Sequence, residues 1–224
     1  SVQFVTASGK ESEPFYFTEH DPRESSTTWQ VERADFDQML FNRAVELGAD
    51  CFDQTRVLDI LLDSAGTACG VKLRTAAGET REIQARVVMD GSGQSSLIAN
   101  KLGLREDIPG LKKAAIWGYY KNAERDAGDN GGATIVMHTE QKDSWFWFIP
   151  LSDQVTSIVC VGDNDYMLKT ELDTEARYQL ELERCPGLQS RLEHAERIGK
   201  LRVAKEYSYF TKQHSGPGWV LIGD

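Results

Sequence analysis

One stretch constrains this 224-residue chain more than any other: Ser144-Trp145-Phe146-Trp147-Phe148-Ile149-Pro150. Successive side chains on a β-strand point to opposite faces. Trp145, Trp147 and Ile149 then share one face, and Phe146 and Phe148 the other. Bulky aromatic side chains on both faces predict a strand covered on both sides, inside a layered domain. Two readings stay open. The stretch is an aromatic core strand, or its two Trp, at i and i+2, form a flat, rigid wall for an aromatic ligand.

Composition excludes several classes. Apolar residues at 40% and charged residues at 27% are close to globular averages, which rules out disordered and collagen-like chains. No run of about 18 apolar residues exists, so no transmembrane helix is expected. Lys and Arg total 25 against 35 Asp and Glu, a formal net charge of −10 with no clustered basic stripe. Nucleic acid and anionic membrane need Lys/Arg neutralisation, so neither is an expected partner. Cys51, Cys69, Cys160 and Cys185 are scattered, with no CxxC pair and no His at metal spacing. Free thiols, no metal site and a reducing, cytoplasmic setting are the expectation. The chain has no initiator Met and no signal peptide. It starts in a strand-like run (Val2 to Ala7) and stops straight after Trp219-Val220-Leu221-Ile222. A segment of a longer protein is expected.

Periodicity gives the coarse plan. Residues 1–20 read as a hairpin, with a turn at Ser8-Gly9-Lys10-Glu11 and an aromatic return strand Phe15-Tyr16-Phe17. Phe36, Met39, Leu40, Ala44 and Leu47 recur at helical spacing, with Gly48 in the C-terminal cap position. Strand-like runs follow at Arg56–Leu62, Cys69–Thr75 and Glu82–Met89, the first two as an antiparallel meander. The third leads as a buried strand through Asp90-Gly91-Ser92-Gly93 into a helix at Leu97–Leu102, one βα step of an α/β sheet. Ala114–Tyr120, Ala133–Thr139, Ser144–Ile149 and Val155–Val161 read as an antiparallel sheet. Residues 170–184 and 187–198 read as helical, Leu201–Phe210 as a strand, and Trp219–Ile222 as a short buried strand.

Three further stretches carry possible chemistry. Val31-Glu32-Arg33-Ala34-Asp35-Phe36-Asp37 opens an amphipathic helix with one well-placed Arg; the plain alternative is that Arg33 pairs with a nearby acid. Asp90-Gly91-Ser92-Gly93 puts backbone N–H groups at a helix start, where glycine lets a phosphate or cofactor edge come close. The plain alternative there is a tight turn capped by Ser92 or Ser95. Gly218 to Asp224 is a buried strand ending in Gly223-Asp224, with a carboxylate at the edge where open α/β sheets bind ligands.

Together, and in this order, these stretches resemble the flavin-dependent monooxygenase superfamily that includes p-hydroxybenzoate hydroxylase, the geranylgeranyl reductases and the flavin-dependent halogenases. Val-x-Arg-x-x-Phe-Asp-x-x-Leu resembles the helix whose Arg, here Arg33, touches the FAD pyrophosphate. Asp90-Gly91-Ser92-Gly93 resembles the second flavin motif, so the resemblance implies cofactor roles for Asp90, Gly91 and Gly93. Gly223-Asp224 resembles the third, whose Asp binds the ribityl chain. The most specific match is Trp145-Phe146-Trp147-Phe148-Ile149-Pro150, which fits the Trp-x-Trp-x-Ile-Pro mark of the halogenases. Gln3-Phe4 with Glu13-Pro14-Phe15-Tyr16-Phe17 is similar to the hairpin of halogenases acting on phenolic, carrier-bound substrates.

The implied fold is α/β (α+β): part of a p-hydroxybenzoate hydroxylase-like FAD domain with an inserted antiparallel β-sheet substrate domain. Residues 1–20 would be a hairpin of the substrate domain, 29–103 part of the FAD-binding domain, 110–213 the antiparallel-sheet domain, and 217–224 a strand returning to the FAD-binding domain. No Gly-x-Gly-x-x-Gly occurs, so the unit holding the ADP half of FAD would precede residue 1. The halogenases' catalytic Lys would also precede Ser1, and Lys10 is not given that role.

The implied chemistry is halogenation of an electron-rich aromatic or carrier-bound substrate. Reduced FAD from a separate flavin reductase would form a hydroperoxide with oxygen, and halide would convert it to hypohalous acid. Trp145 and Trp147 would be a gating wall that keeps the organic substrate from the flavin. Two rivals remain at this stage. One is an FAD-dependent hydroxylase or reductase of the same fold, and the other a hydrophobic ligand-binding module without catalysis. The segment alone is expected to be inactive.

Overall fold

Glycine turns and polar loops cut the chain into short strands, and a computed structural model describing residues 1–152 and 154–223 shows how they pair. The strands are β1 (Val2–Val5), β2 (Arg56–Leu62), β3 (Ala68–Arg74), β4 (Thr80–Gln84), β5 (Val88–Asp90), β6 (Arg105–Asp107) and β7 (Lys113–Lys121). They continue as β8 (Thr134–His138), β9 (Ser144–Pro150), β10 (Val155–Asp163), β11 (Glu196–Lys205), β12 (Tyr209–Thr211), β13 (Ser215–Gly216) and β14 (Trp219–Leu221). The helices are α1 (Phe17–His20), α2 (Arg33–Glu46), α3 (Leu97–Lys101), α4 (Asn164–Leu168), α5 (Thr174–Glu183) and α6 (Pro186–Gln189). Two compact units result. The first holds Ser1–Met39 and Lys112–Glu206, and the second holds Leu40–Leu111 and the residues from Tyr207. Residues 29–39 thus group with the first unit and 207–213 with the second.

The first unit is built on a six-stranded sheet in the order β1-β8-β9-β10-β7-β11, with β1 parallel to β8 and the other neighbours antiparallel. Alternation sends Ile116, Ile135, Met137, Phe146, Phe148, Ile158 and Cys160 to one face, where all are buried. Tyr178 of α5 and Leu188 of α6 belong to the same core. Helix α5 starts at Asp173, whose side chain accepts from the Ala176 N–H at 2.8 Å, satisfying one orphan donor of the first turn. Tyr178 then packs edge-on against Phe146 at 5.9 Å and donates to the Ile158 carbonyl at 3.0 Å. A large aromatic is buried with its hydroxyl paired, so burial carries no orphan penalty.

The second unit contains a meander, β2-β3-β4, and a sheet β13-β14-β5 in which β14 runs parallel to β5. Strands β12 and β6 form an antiparallel pair. Its core is small: Ile60, Ala68, Ile98 and Trp219, with Val88, Leu97 and Leu221 packed against them.

Several expectations shift in the structure. Residues 1–20 close by isolated bridges, Val5 to Glu11 and Val2 to Phe15, but Phe17 enters the short helix α1 and does not extend a strand. The Glu82–Met89 run divides. Its first part is the third strand of the meander, and the apolar part is β5, whose Met89 is 65% exposed, so that strand is not buried on both faces. Helical structure after Pro186 ends by Leu192, and residues 196–198, expected as helix, open β11. Ile198, opposite Tyr119 on the sheet, shows why: its apolar side chain serves strand pairing as well as a helix face.

Candidate functional site

The Trp pair stands on the sheet face opposite the first unit's core. Register places Trp147 between Val136 of β8 and Val159 of β10, and Val159 opposite Trp117 of β7. Trp145 stands between His138 and Val161. Phe146 is fully buried whereas Trp147 keeps 43% of its surface exposed. The expectation of cover on both sides is therefore corrected: among the described residues the strand is closed on its Phe side and open on its Trp side. The Lys113 ammonium lies 5.5 Å from the Trp145 ring centre and pairs with Asp163 at 2.6 Å. Trp117 and Tyr119 share this face, and the Trp117 indole N–H reaches the Tyr119 hydroxyl at 3.4 Å. The sequence reading did not single them out. Their alternation was visible, but only the register of β7 against β10 puts them beside the Trp pair. Near the end of β9 a cavity of about 280 Å³ is lined by Ser1, Trp29, Gln30, Arg125, Gly132 and Pro150.

The second element is the turn after β5. Parallel pairing sets Asp90 opposite Leu221, and the Ile222 N–H donates to the Asp90 carbonyl at 2.9 Å. The Asp90-Gly91-Ser92-Gly93 and Ile222-Gly223 stretches therefore leave adjacent parallel strands at the same end, the end where open α/β sheets hold ligands. The approach is close at Gly91, where a Cβ would stand 3.3 Å from the Ile222 side chain. Gly93 has φ +55°, in the left-handed region.

Asp90 holds the turn itself. Its carboxylate accepts from the Ser92 N–H at 2.8 Å and the Ile98 N–H at 2.7 Å, while Ser92 Oγ accepts from the Leu97 N–H at 2.9 Å. Burial alone would raise the Asp90 pKa. Hydrogen bonds from the Ser92 side chain and from the Ile98 and Ser92 N–H groups outweigh it and hold the carboxyl below the ordinary range. Both carboxylate oxygens thus serve the chain's own backbone, as the plain reading of a capped turn has it. Backbone groups remain for a cofactor: a Cβ at Gly93 or at Gly223, which has φ +115°, would meet open space. The turn thus leaves backbone open at Gly93 and Gly223, while both Asp90 oxygens are engaged by the chain's own N–H groups.

Arg33, at the first position of α2, forms a two-point ion pair with Asp37 at 3.0 Å, and both side chains are exposed. Its partner is the nearby acid of the plain reading. The ion pair sits at the surface, so the guanidinium is not locked in place by packing. Asp224 lies outside the described residues. Among the described residues no cluster of His, Cys, Asp and Glu is arranged to hold a metal ion, and no helix is long and apolar enough to cross a membrane. All four cysteines are free, with Cys160 and Cys185 buried. Burial pushes both of these thiols up, Cys185 to about 12, so neither is a reactive thiolate.

No protein-family profile matches the chain. It is 30% identical, over 88% of its length, to 48% of a 1H-pyrrole-2-carbonyl-(peptidyl-carrier protein) brominase from Pseudoalteromonas luteoviolacea. It is 31% identical, over 93% of its length, to 43% of the flavin-dependent halogenase armH2 from Armillaria mellea. Among solved structures, the flavin-dependent halogenase CmlS superposes on the whole chain with a TM-score of 0.88 at 27% identity, and 40% of CmlS is covered. The chain spans about half the length of the relatives it matches. Agreement in sequence and in fold over nearly the whole chain makes it a homologue of part of the flavin-dependent halogenases.

Proposed function

We propose that the chain is part of an FAD-dependent halogenase acting on an electron-rich aromatic or carrier-bound substrate. The observation that carries the reading is the open face of β9, where Trp145 and Trp147 stand side by side above a strand whose other face is locked in the core. Two indoles on one rigid strand make a wall that orients a ring at little entropic cost, since their backbone is already fixed. FAD, when bound, would supply the oxygen-activating redox chemistry.

The roles assigned to this chain's residues are binding and orientation. The backbone at Gly91, Gly93 and Gly223 would hold the cofactor edge. Asp90 would keep that backbone in place. Asp224 would accept from a ribityl hydroxyl, and Arg33, released from Asp37, would pair with the pyrophosphate. Trp145 and Trp147 would wall the substrate and exclude water. Halide, a separate flavin reductase and a reducing cytoplasmic setting complete the proposal, and the four free thiols suit that setting.

The test is product mass. Full-length protein, reduced FAD, oxygen, bromide and an electron-rich arene should give a product with the bromine isotope pair. A hydroxylated product without that pair would return the chain to the hydroxylase reading. In the same assay, Trp145→Phe and Trp147→Phe should lower halogenated product per flavin oxidised and raise the peroxide released. Unchanged coupling in both variants would return the Trp pair to a packing role.

A further inference from the structure

Glu181, on α5, is a carboxylate with no solvent exposure that none of the roles above uses. Its Oε2 accepts from Ser144 Oγ at 2.6 Å. Its Oε1 accepts from the Tyr166 hydroxyl at 2.7 Å and from Arg177 Nη1 at 3.2 Å. Arg184 stands 3.7 Å from the same oxygen and donates to the Tyr166 hydroxyl at 3.0 Å. The Arg177 guanidinium also lies 4.6 Å from the Tyr166 ring centre. A buried carboxylate persists only when paired and hydrogen-bonded, and this one has both.

One of its donors is not an ordinary core group. Ser144 is the first residue of β9 and directly precedes Trp145. The same end of α5 reaches the β8–β9 hairpin at two further points. The Glu140 N–H donates to the Arg184 carbonyl at 2.8 Å, and Cys185 Sγ lies 3.8 Å from the His138 carbonyl. Within the hairpin, Thr139 Oγ1 donates to the Ser144 carbonyl at 2.8 Å. His138, Thr139, Glu140 and Ser144 are thus all tied at one place, and Trp145 projects from it toward the opposite face.

We infer that Glu181 is a positioning residue: through Ser144 it clamps the start of β9 and so fixes where Trp145 stands on the open face. The functional meaning of the clamp rests on the Trp-wall reading above; the clamp itself does not. A strand end held only by its ladder frays, whereas one tied through a side chain to a helix shares that helix's stability. Replacing two apolar groups by a buried charge pair gains little net stability, so specificity of geometry is the better account of its presence here.

The test separates positioning from stability. The chain is labelled with 5-fluorotryptophan, and the fluorine resonance of Trp145 is identified from its loss in Trp145→Phe. Ser144→Ala removes the donor on the hairpin side of Glu181, together with the longer 3.2 Å contact of Ser144 Oγ with Thr139 Oγ1. Tyr166→Phe removes a donor to the same carboxylate from outside the hairpin. Glu181→Gln keeps an acceptor for Ser144 but loses the charge that the arginines pair with. Ser144→Ala should shift or split the Trp145 resonance. Tyr166→Phe and Glu181→Gln should lower the melting temperature and leave that resonance close to its original position. If Ser144→Ala does not fold, Ser144→Cys, with a similar volume and a weak donor, should give a smaller shift of the same resonance. An unmoved Trp145 resonance in the Ser144 variant, or an equal shift in Tyr166→Phe, would overturn the clamp. The reading needs neither flavin nor halide, so its failure leaves the halogenase assignment standing. Absence of a brominated product would likewise leave the clamp standing.

Discussion

The two units place their candidate functional groups by different means. In the first, the Trp wall is held from behind by a deep core: Phe146, Ile158, Cys160 and Leu188 are fully buried beneath the sheet. In the second, the turn after β5 is held by one carboxylate, Asp90, that collects two backbone N–H groups, above a core of four buried residues. Packing is insensitive to pH and costly to disturb. A hydrogen-bonded carboxylate is specific but is lost on protonation. The second unit also presents apolar side chains to solvent, with Val87 at 56% and Met89 at 65% exposure on and beside β5. The contrast teaches that a wall for an apolar ring can rest on a core, whereas a backbone cradle must be shaped by polar contacts.

The largest expected effect breaks the wall's support. Phe146→Ala should cost about 3–5 kcal/mol, from lost burial and the cavity left behind, while Trp147→Phe on the open face should cost no more than about 1 kcal/mol. Denaturant melts of the two variants check this. Equal costs would mean that both faces of β9 are core, and the contrast between them would fail.

Next in size is cofactor retention at the cradle. In full-length protein Asp224→Ala should weaken FAD binding by roughly 1.5–3 kcal/mol, the worth of a charged hydrogen bond, or about one to two decades in Kd. Titration calorimetry reads this directly. Unchanged affinity would remove the ribityl role from Asp224.

The turn itself gives a smaller effect with a pH signature. Asp90 has a folded pKa below its ordinary value, so its stabilisation is present above the ordinary carboxylate range and lost as pH falls through the lowered value. Asp90→Asn keeps one acceptor and should cost about 0.5–1.5 kcal/mol near neutrality, toward the lower end because the site is partly open to solvent. The variant should also lose part of the acid dependence of unfolding. Parallel acid limbs for the two proteins would show that the carboxylate does not shape the turn.

The smallest effect on stability belongs to Arg33. Its ion pair with Asp37 is exposed at the surface, so Arg33→Lys should leave the melting temperature unchanged. In full-length protein the same substitution should weaken FAD binding, because a point charge does not replace a planar fork on a pyrophosphate. A calorimetric titration that shows no change would leave Arg33 with Asp37 alone.

How much was legible in advance differs between these places. Strands β7 to β10 of the first sheet were readable because each is a short run of apolar, aromatic or β-branched residues bounded by polar turns. Helix α2 was readable from its three- and four-residue spacing and from Gly48, which indeed has φ +90°. The short helix α1 and the start of β11 were misjudged because apolar and aromatic residues there satisfy either period over a few positions. The Glu181 cluster left no local signal: Ser144 and Glu181 are 37 residues apart, and nothing in the aromatic stretch that Ser144 opens points to Glu181.

The sequence by itself determined which residues alternate, where glycine permits the chain to turn, and that two Trp share a face of one strand. These are consequences of covalent geometry and local sterics, which every residue carries with it. Only the tertiary structure decided which face of β9 is closed and which is open, that Asp90 serves its own turn, that the Asp90 and Gly223 stretches end side by side, and that a buried carboxylate on α5 ties down the strand bearing Trp145. Each of these depends on which strands pair, in which register and direction. Register is fixed by the summed packing of residues far apart in the chain, a quantity no local window contains.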